Sequence, residues 1–241
     1  MGGVQVNNRV VWITGASTGI GFELGKVFAR SGYIVIATGR RKSRLVSLVN
    51  EIRFAGHQAY AFVCDVRKER SILSTKKKIL ENCGTIDILI NNAGITSFKS
   101  FADTKPPEFD DIISTNLRGS YLAARSVLPL MIRKKEGHII NILSVAATET
   151  FENSSAYSAS KAGTMAMFRV LREEVRRYNI KVTNILPGAT DTPIWNPAMR
   201  QKYSKRMMTA REVAEIVLHT ANQPRKVVVE DIVIKPIKGN L

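Results

Sequence analysis

A doubly wound α/β fold, one parallel sheet with helices on both faces, is predicted by three features of the sequence. Short β-branched runs alternate with longer segments of helical period along the chain, the pattern of parallel strands joined by crossover helices. The runs are almost continuously apolar, as strands covered on both faces require. A glycine-rich segment stands directly between the first run and the first helical segment, where doubly wound sheets open a helix toward an anion.

In chain order, Val10–Thr14 reads as the first strand and Ile20–Arg30 as its helix, then Tyr33–Thr38 as the second strand and Leu45–Phe54 as the second helix. Further strands are expected at Ala59–Val63, Ile86–Ile90, His138–Leu143, Lys181–Leu186 and Val227–Ile234, with helices in the intervals, which completes a seven-stranded parallel sheet. No internal repeat, low-complexity tract or Pro/Gly/Ser-rich linker interrupts the chain, so residues 1–241 are expected to form one Rossmann-like domain. The segment 193–208 mixes Trp195, prolines, methionines and basic residues between a strand end and a helix. It reads either as a substrate lid or as a surface connection with one short helix.

Composition narrows the function classes. With 44% hydrophobic and 23% charged residues the chain is a globular protein, away from the disordered range. Its 36 basic and 20 acidic side chains give a formal charge of +16, a value that raises nucleic-acid binding as a rival class. The cations are scattered, however, over Arg40–Arg44, Lys76–Lys78, Arg133–Lys135, Arg172–Arg177 and Lys202–Arg206, mostly on polar faces of expected helices, so no nucleic-acid partner is expected. Cys64 and Cys83 are too few for a disulfide framework and lack CxxC spacing, which fits a reducing, cytoplasmic compartment. Apolar runs such as Val10–Ile13, Tyr33–Ala37 and Val127–Ile132 fall far short of the roughly 20 residues of a membrane helix, so no membrane partner is expected. Residues Met1–Asn8 show no leader pattern, and Val6 stands where a myristoylation signal needs Ser or Thr, so no targeting signal is expected. His57, His138 and His219 show no metal-ligand spacing, and no metal is expected.

The first turn reads Thr14-Gly15-Ala16-Ser17-Thr18-Gly19-Ile20-Gly21. Glycines there let the backbone approach a pyrophosphate, and the free N–H groups of a helix start attract its charge. The spacing G-x-x-x-G-x-G differs from the commoner G-x-G-x-x-G, and such a turn also occurs with a purely structural role. The end of the second strand discriminates further. A nicotinamide cofactor with a free ribose 2′-hydroxyl is usually met there by Asp or Glu, whereas a 2′-phosphate is met by Arg. Here Arg40 and Arg41 follow Gly39, and no carboxylate occurs between Glu23 and Glu51. NADP(H) is therefore favoured over NAD(H), although two arginines could also simply begin a solvated helix.

Ser144 follows the fifth strand, and Tyr157 and Lys161 follow the helix-start residues Asn153 to Ser155. An i, i+4 spacing places the phenol and the amine on one helix face. A phenol of ordinary pKa near 10 is a poor base at neutral pH; an adjacent ammonium, helped by an oxidised nicotinamide ring, stabilises the phenolate at about 1.4 kcal/mol per unit of pKa, so Tyr157 is expected to be shifted downward.

These elements together resemble the short-chain dehydrogenase/reductase family over essentially the whole chain. The family's glycine motif matches Thr14 to Gly21, its Asn-Asn-Ala-Gly motif Asn91 to Gly94, and its Ser, Tyr-x-x-x-Lys and Pro-Gly elements Ser144, Tyr157 to Lys161, and Pro187-Gly188. The resemblance implies hydride transfer between NADP(H) and a carbonyl or secondary alcohol, with Tyr157 as proton donor and acceptor, Ser144 holding the oxygen, and Lys161 on the nicotinamide ribose. It also implies that Asn116 positions a relay water. By the same resemblance the cofactor contacts are Gly15, Ser17, Thr18, Gly19, Ile20, Gly21, Arg40, Arg41, Asp65, Val66, Asn92, Ala93, Gly94, Tyr157, Lys161, Pro187, Gly188 and Thr192.

The tail Val227–Pro236 departs from the family's usual Asp-Gly-Gly ending and is similar to members that oxidise small 3-hydroxy acids. That ending puts the family's usual tetramer contact in doubt, while a homodimer or homotetramer remains implied. Substrate-facing positions are expected after the strand ends, at Ile95, Ser144, Val145, Phe151, Trp195 and Met199. Arg200, Lys202, Lys205 and Arg206 either attract an anionic substrate or form a solvated face. Two other classes stay open at this point: a cofactor-binding regulator of the same fold that catalyses little, and a basic protein associated with nucleic acid.

Overall fold

In the computed structural model, which describes residues 9–240, strand and helix alternate as β1 (Val10–Ile13), α1 (Gly19–Arg30), β2 (Ile34–Gly39), α2 (Lys42–Phe54), β3 (Ala59–Val63), α3 (Glu69–Cys83), β4 (Ile88–Asn91) and α4 (Pro106–Ile113). There follow α5 (Gly119–Lys134), β5 (Gly137–Ile142), α6 (Ser155–Val175), β6 (Ile180–Pro187), β7 (Thr190–Asp191), α7 (Pro197–Tyr203), β8 (Met208–Thr209), α8 (Ala210–Ala221) and β9 (Asp231–Ile234). The reading of Met1–Asn8, Val6 included, lies outside the described residues. Seven strands form one parallel sheet in the order β3-β2-β1-β4-β5-β6-β9. The chain first runs outward from β1 to β3 and then returns to lay β4 on the other side of β1. That reversal opens a crevice above the carboxyl ends of β1 and β4.

Burial explains the strands. β1 is fully covered: Val11 and Ile13 pack into the layer built by Leu24 and Phe28 of α1, Leu48 of α2 and Val217 of α8, while Val10 and Trp12 pack against Ile72 of α3, Val127 of α5 and Phe168 of α6. Alternate side chains of one apolar strand thus feed two separate cores, which is why the run is continuously apolar. The rule weakens at the sheet edges. Val63 of β3 is 54% exposed and Val233 of β9 is 53% exposed, so the expected burial on both faces does not hold there. The last strand also starts at Asp231 and not at Val227, because its pairing with β6 begins only at Asn184↔Asp231.

Three strand pairings in register place Asn91, Asn141, Asn184 and Asp231 side by side across β4, β5, β6 and β9. Each Asn Nδ2 donates to the next side-chain oxygen at 2.9 Å. The row ends on Asp231, which Arg172 of α6 and Arg169 hold at 2.6 and 2.7 Å. A buried polar row of this kind fixes the register of neighbouring strands, since a slip would orphan several amides at once.

At the opposite end of β5, His138 is 2% exposed and its Nε2 lies 2.8 Å from Thr183 Oγ1. Thr183 donates its own proton to Val229 O, so His138 Nε2 must be the donor and Nδ1 is left bare and without a partner. Burial, with Lys181 and Arg9 nearby, pushes its pKa from 6.5 to about 3. Above pH 6.5 the ring is neutral in both folded and unfolded chains; below it only the unfolded chain gains the proton, until about pH 3. Stability is therefore lost on acidification through this window, by about 2 kcal/mol at pH 5. Urea midpoints at pH 7.5 and 5 should converge in His138→Gln relative to the unmodified protein; an unchanged difference would remove His138 as the cause.

Candidate active site

A cleft of about 860 Å³ follows the crevice at the carboxyl ends of the strands, from Arg40, Arg41 and Asp65 at one end to Trp195 and Met199 at the other. Its floor begins with the glycine turn. Gly15 and Gly19 have φ of +68° and +59°, a region that side chains rarely adopt. Thr14 and Asn92 pin this turn to the loop after β4: Thr14 Oγ1 accepts the N–H groups of Asn92 and Ala93 at 3.0 and 3.1 Å, and Asn92 Nδ2 donates to the carbonyls of Thr14 and Gly15 at 2.9 and 3.1 Å. The first turn of α1 carries no acid and no side-chain cap bond from Thr18, which leaves its N–H groups and positive dipole end toward the cleft.

At the second strand end, Arg41 Nη2 donates to Ser17 Oγ and Thr18 Oγ1 at 3.0 and 2.9 Å, so its guanidinium lies on the lip of the glycine turn. Arg40, exposed, lines the same lip. Asp65 is held by Arg67 at 2.9 Å, and those hydrogen bonds, aided by the charge of Arg40, keep its carboxyl below the usual carboxylate range. This end of the cleft therefore combines cations with one carboxylate that stays ionised.

The chemistry-bearing side chains meet near the end of β5. Ser144 caps a single tight turn, accepting Ala146 N–H at 3.1 Å. Asn153, at φ +61°, turns the chain into α6, where Tyr157 and Lys161 share one face with Lys161 Nζ 5.6 Å from the phenol ring centre. Lys161 is buried and donates to Ile142 O at 2.8 Å. Burial pushes its pKa down to about 8 and pushes that of Tyr157 up to about 12, with Ser144 drawing the phenol back. Among the groups of the chain itself, then, Tyr157 is shifted upward, opposite to the lowering expected beside Lys161 and an oxidised nicotinamide ring. Desolvation of the phenolate outweighs the hydrogen bond from Ser144, while the Lys161 amine directs its own hydrogen bond to a backbone carbonyl.

Two expected site residues stand behind the wall and not in it. Gly21 packs beneath the turn, where a Cβ would collide with Asn92 Nδ2 and come within 2.5 Å of Gly15 O. Asn116 lies in a π-helical turn, Ser114–Arg118, between α4 and α5. Its Oδ1 accepts Ile95 N–H at 2.9 Å, and its Nδ2 donates to Ile95 O and Ser160 Oγ, each at 2.9 Å. Both amide hydrogens are spent within the protein, which ties the loop after β4 to α6. The wide turn supplies the extra residue that aims this side chain inward.

The other expected residues line the cleft: Ser17, Thr18, Ile20, Val66, Gly94, Pro187, Gly188 and Thr192 along its length, and Ile95, Val145, Phe151, Trp195 and Met199 at the far end. Arg200, Lys202, Lys205 and Arg206 do not line it; Arg200 is held by Asp191 at 2.6 Å. Segment 193–208 contains α7 and is clipped at both ends by the short parallel pair of β7 and β8, an element the sequence does not announce. Phe98, Glu152, Tyr203 and Asn240 also line the cleft and escaped sequence reasoning. Phe98 stands four residues beyond the Asn91–Gly94 motif, a usable signal; Asn240 arrives from the tail through Glu149, which it meets at 2.7 Å, and nothing local marks it. Among the described residues no helix is long and apolar enough to cross a membrane, and no cluster of three or more His, Cys, Asp or Glu could hold a metal ion.

The chain is similar to known proteins over nearly its whole length. Residues 9–203 match the family model described as short chain dehydrogenase. A sepiapterin reductase of Chlorobaculum tepidum is 31% identical over 240 residues, 97% of this chain and 98% of that protein. Among solved structures, a metagenomic short-chain oxidoreductase in complex with NADP superposes with a TM-score of 0.85 at 30% identity, covering 96% of this chain and 98% of that one. An actinorhodin polyketide ketoreductase variant with NADPH gives a TM-score of 0.90 at 27% identity, covering 98% and 99%.

Proposed function

The chain belongs to the short-chain dehydrogenase/reductase family of NAD(P)-dependent oxidoreductases, and within it we propose an NADP(H)-dependent enzyme that interconverts a small carbonyl compound and its secondary alcohol. One observation carries this reading: Tyr157, Lys161 and Ser144 meet inside a cleft whose other end is lined by Arg40 and Arg41. The residues fit a dinucleotide. The left-handed Gly15 and Gly19 and the open start of α1 make a cradle for a pyrophosphate, and the arginines suit a 2′-phosphate. When bound, the nicotinamide cofactor supplies or accepts the hydride. The NADP and NADPH in the two related structures support the same preference.

The chain's own part is to hold oxygen and move a proton. Ser144 and Tyr157 present neighbouring hydroxyls to the carbonyl oxygen. Tyr157, pushed up to about 12, holds its proton at neutral pH, and it is the group assigned to donate that proton to the carbonyl oxygen in reduction and to take it back in alcohol oxidation. Lys161 is placed to meet the nicotinamide ribose from the same helix face. Asn116 positions Ile95 and α6 and is assigned no contact with the reacting atoms. The reading includes a cytoplasmic homodimer or homotetramer of one-domain subunits, with 193–208 as a lid over the far end. A 3-hydroxy acid as substrate is supported by the resemblance of the tail alone.

Cofactor choice is testable at Arg40. Arg40→Asp should weaken NADPH binding about 10- to 100-fold, the worth of one or two charge-assisted contacts, and NADH binding by less than about twofold. Fluorescence titration reads both constants, and equal affinity of the unmodified protein for NADH and NADPH would overturn the assignment. For activity, loss of NADPH absorbance with a panel of ketones, aldehydes and oxo acids separates an enzyme from a regulator that binds NADPH without turnover.

A further inference from the structure

We infer that the far end of the cleft is a flat aromatic slot that selects a neutral substrate whose carbonyl carries a planar ring, an aryl ketone or, in reverse, an aryl carbinol. This rests on the oxidoreductase reading above and deepens it. The rings of Phe98 and Trp195 stack at 5.0 Å between centroids with an interplanar angle of 11°. Neither ring is left to find its place on binding. Trp195 Nε1 donates to Thr190 O at 3.0 Å, and the loop bearing Phe98 is anchored by Lys99, whose N–H donates to Asn153 O at 3.0 Å and whose Nζ meets Glu108 at 2.6 Å. Phe151 and Tyr203 add further apolar wall. A preset planar surface favours a planar guest, because the ordering entropy has been spent in folding and offset stacking rewards a third ring.

Charge points the same way. Among the described residues that line this end, Glu152 is the one carboxylate and Lys161 the one cation, and Lys161 Nζ is bonded to Ile142 O. Of the ions behind this wall, Arg200 is paired with Asp191 at 2.6 Å and Glu149 with Lys235 at 2.5 Å, Arg206 donates to Asn240 O at 3.3 Å, and Lys202 Nζ lies 5.0 Å from the Tyr203 ring centre; none of these ions lines the slot. A substrate carboxylate would leave water, meet no lining cation besides Lys161, whose Nζ is turned to Ile142 O, and face Glu152, an arrangement that disfavours anions. The slot and the 3-hydroxy acid reading therefore make opposite predictions.

The test measures initial rates at saturating NADPH with acetophenone, 2-hexanone and 3-oxobutanoate. The slot predicts kcat/KM for acetophenone at least about tenfold above 2-hexanone and further above 3-oxobutanoate. Trp195→Leu and, independently, Phe98→Leu should each lower the acetophenone value about tenfold, mainly through KM, and the 2-hexanone value by a clearly smaller factor, with NADPH affinity within about twofold. Preference for 3-oxobutanoate, or equal losses for ring and chain substrates, would overturn the slot. Calorimetric binding of acetophenone and 3-oxobutanoate to the protein with NADP⁺ reads the slot apart from catalysis. Selective acetophenone binding without turnover of any ketone keeps the slot and removes the oxidoreductase reading; absence of acetophenone binding removes the slot.

Discussion

Tyr157→Phe should reduce NADPH-dependent carbonyl reduction by about 10²- to 10⁴-fold, the range general acid catalysis supplies, with NADPH affinity within about twofold of the unmodified protein. The substitution removes one oxygen and keeps the ring that fills the cleft wall beside Lys161. No other hydroxyl replaces it. Ser144 lies alongside and can hydrogen-bond the carbonyl oxygen, but an aliphatic hydroxyl is a far weaker acid than a phenol and does not take over the proton transfer. Because the lost group acts on the developing oxyanion and not on the ground state, kcat should fall with kcat/KM while KM changes little. Turnover within about threefold of the unmodified protein would show that the proton comes from elsewhere, whatever the fold.

The second large effect is on stability. Arg172 is 5% exposed, and its guanidinium donates to Val182 O at 2.9 Å, to Glu230 O at 2.7 Å and to Asp231 Oδ1 at 2.6 Å. One side chain thus satisfies two backbone carbonyls at the edge of the sheet and the carboxylate that ends the asparagine row. Arg172→Met keeps the stem and removes the fork, which leaves the carbonyls without these donors and Asp231 with Arg169 and Asn184. The expected loss is about 3–5 kcal/mol, as for other broken buried pairs. Arg169→Met is the control: the side chain is 51% exposed and its bridge to Asp231 is worth less than about 1 kcal/mol. Urea unfolding reads both, and equal losses would show that burial of Arg172 is not what matters.

The parts of this protein visible in the sequence are those set by short-range periodicity. Val10–Ile13 announces a covered strand because each side chain faces a core, and Tyr157 with Lys161 announces a shared helix face because the α-helix fixes the angle between positions four apart. The glycine turn is legible because glycine adopts φ of +68° and +59° at Gly15 and Gly19 at no steric cost, and at Gly15 a Cβ would also come within 2.7 Å of Ala93 Cα. Where the reading strayed, the deciding partner was distant in sequence. β9 could not be bounded without knowing where β6 would meet it, and Asn116 could not be set behind the wall without the π-helical turn and Ser160.

Spacing and residue type therefore determined the doubly wound sheet, the glycine turn and the pairing of Tyr157 with Lys161, and family resemblance added the remaining groups above β1, β4 and β5. Tertiary structure decided how those groups behave. It set the direction in which Tyr157 titrates, since desolvation depends on what surrounds a hydroxyl and not on its neighbour in the helix. It also stacked Phe98 on Trp195 and brought Asn240 to Glu149, contacts between segments far apart in the chain whose closeness only the packed fold specifies.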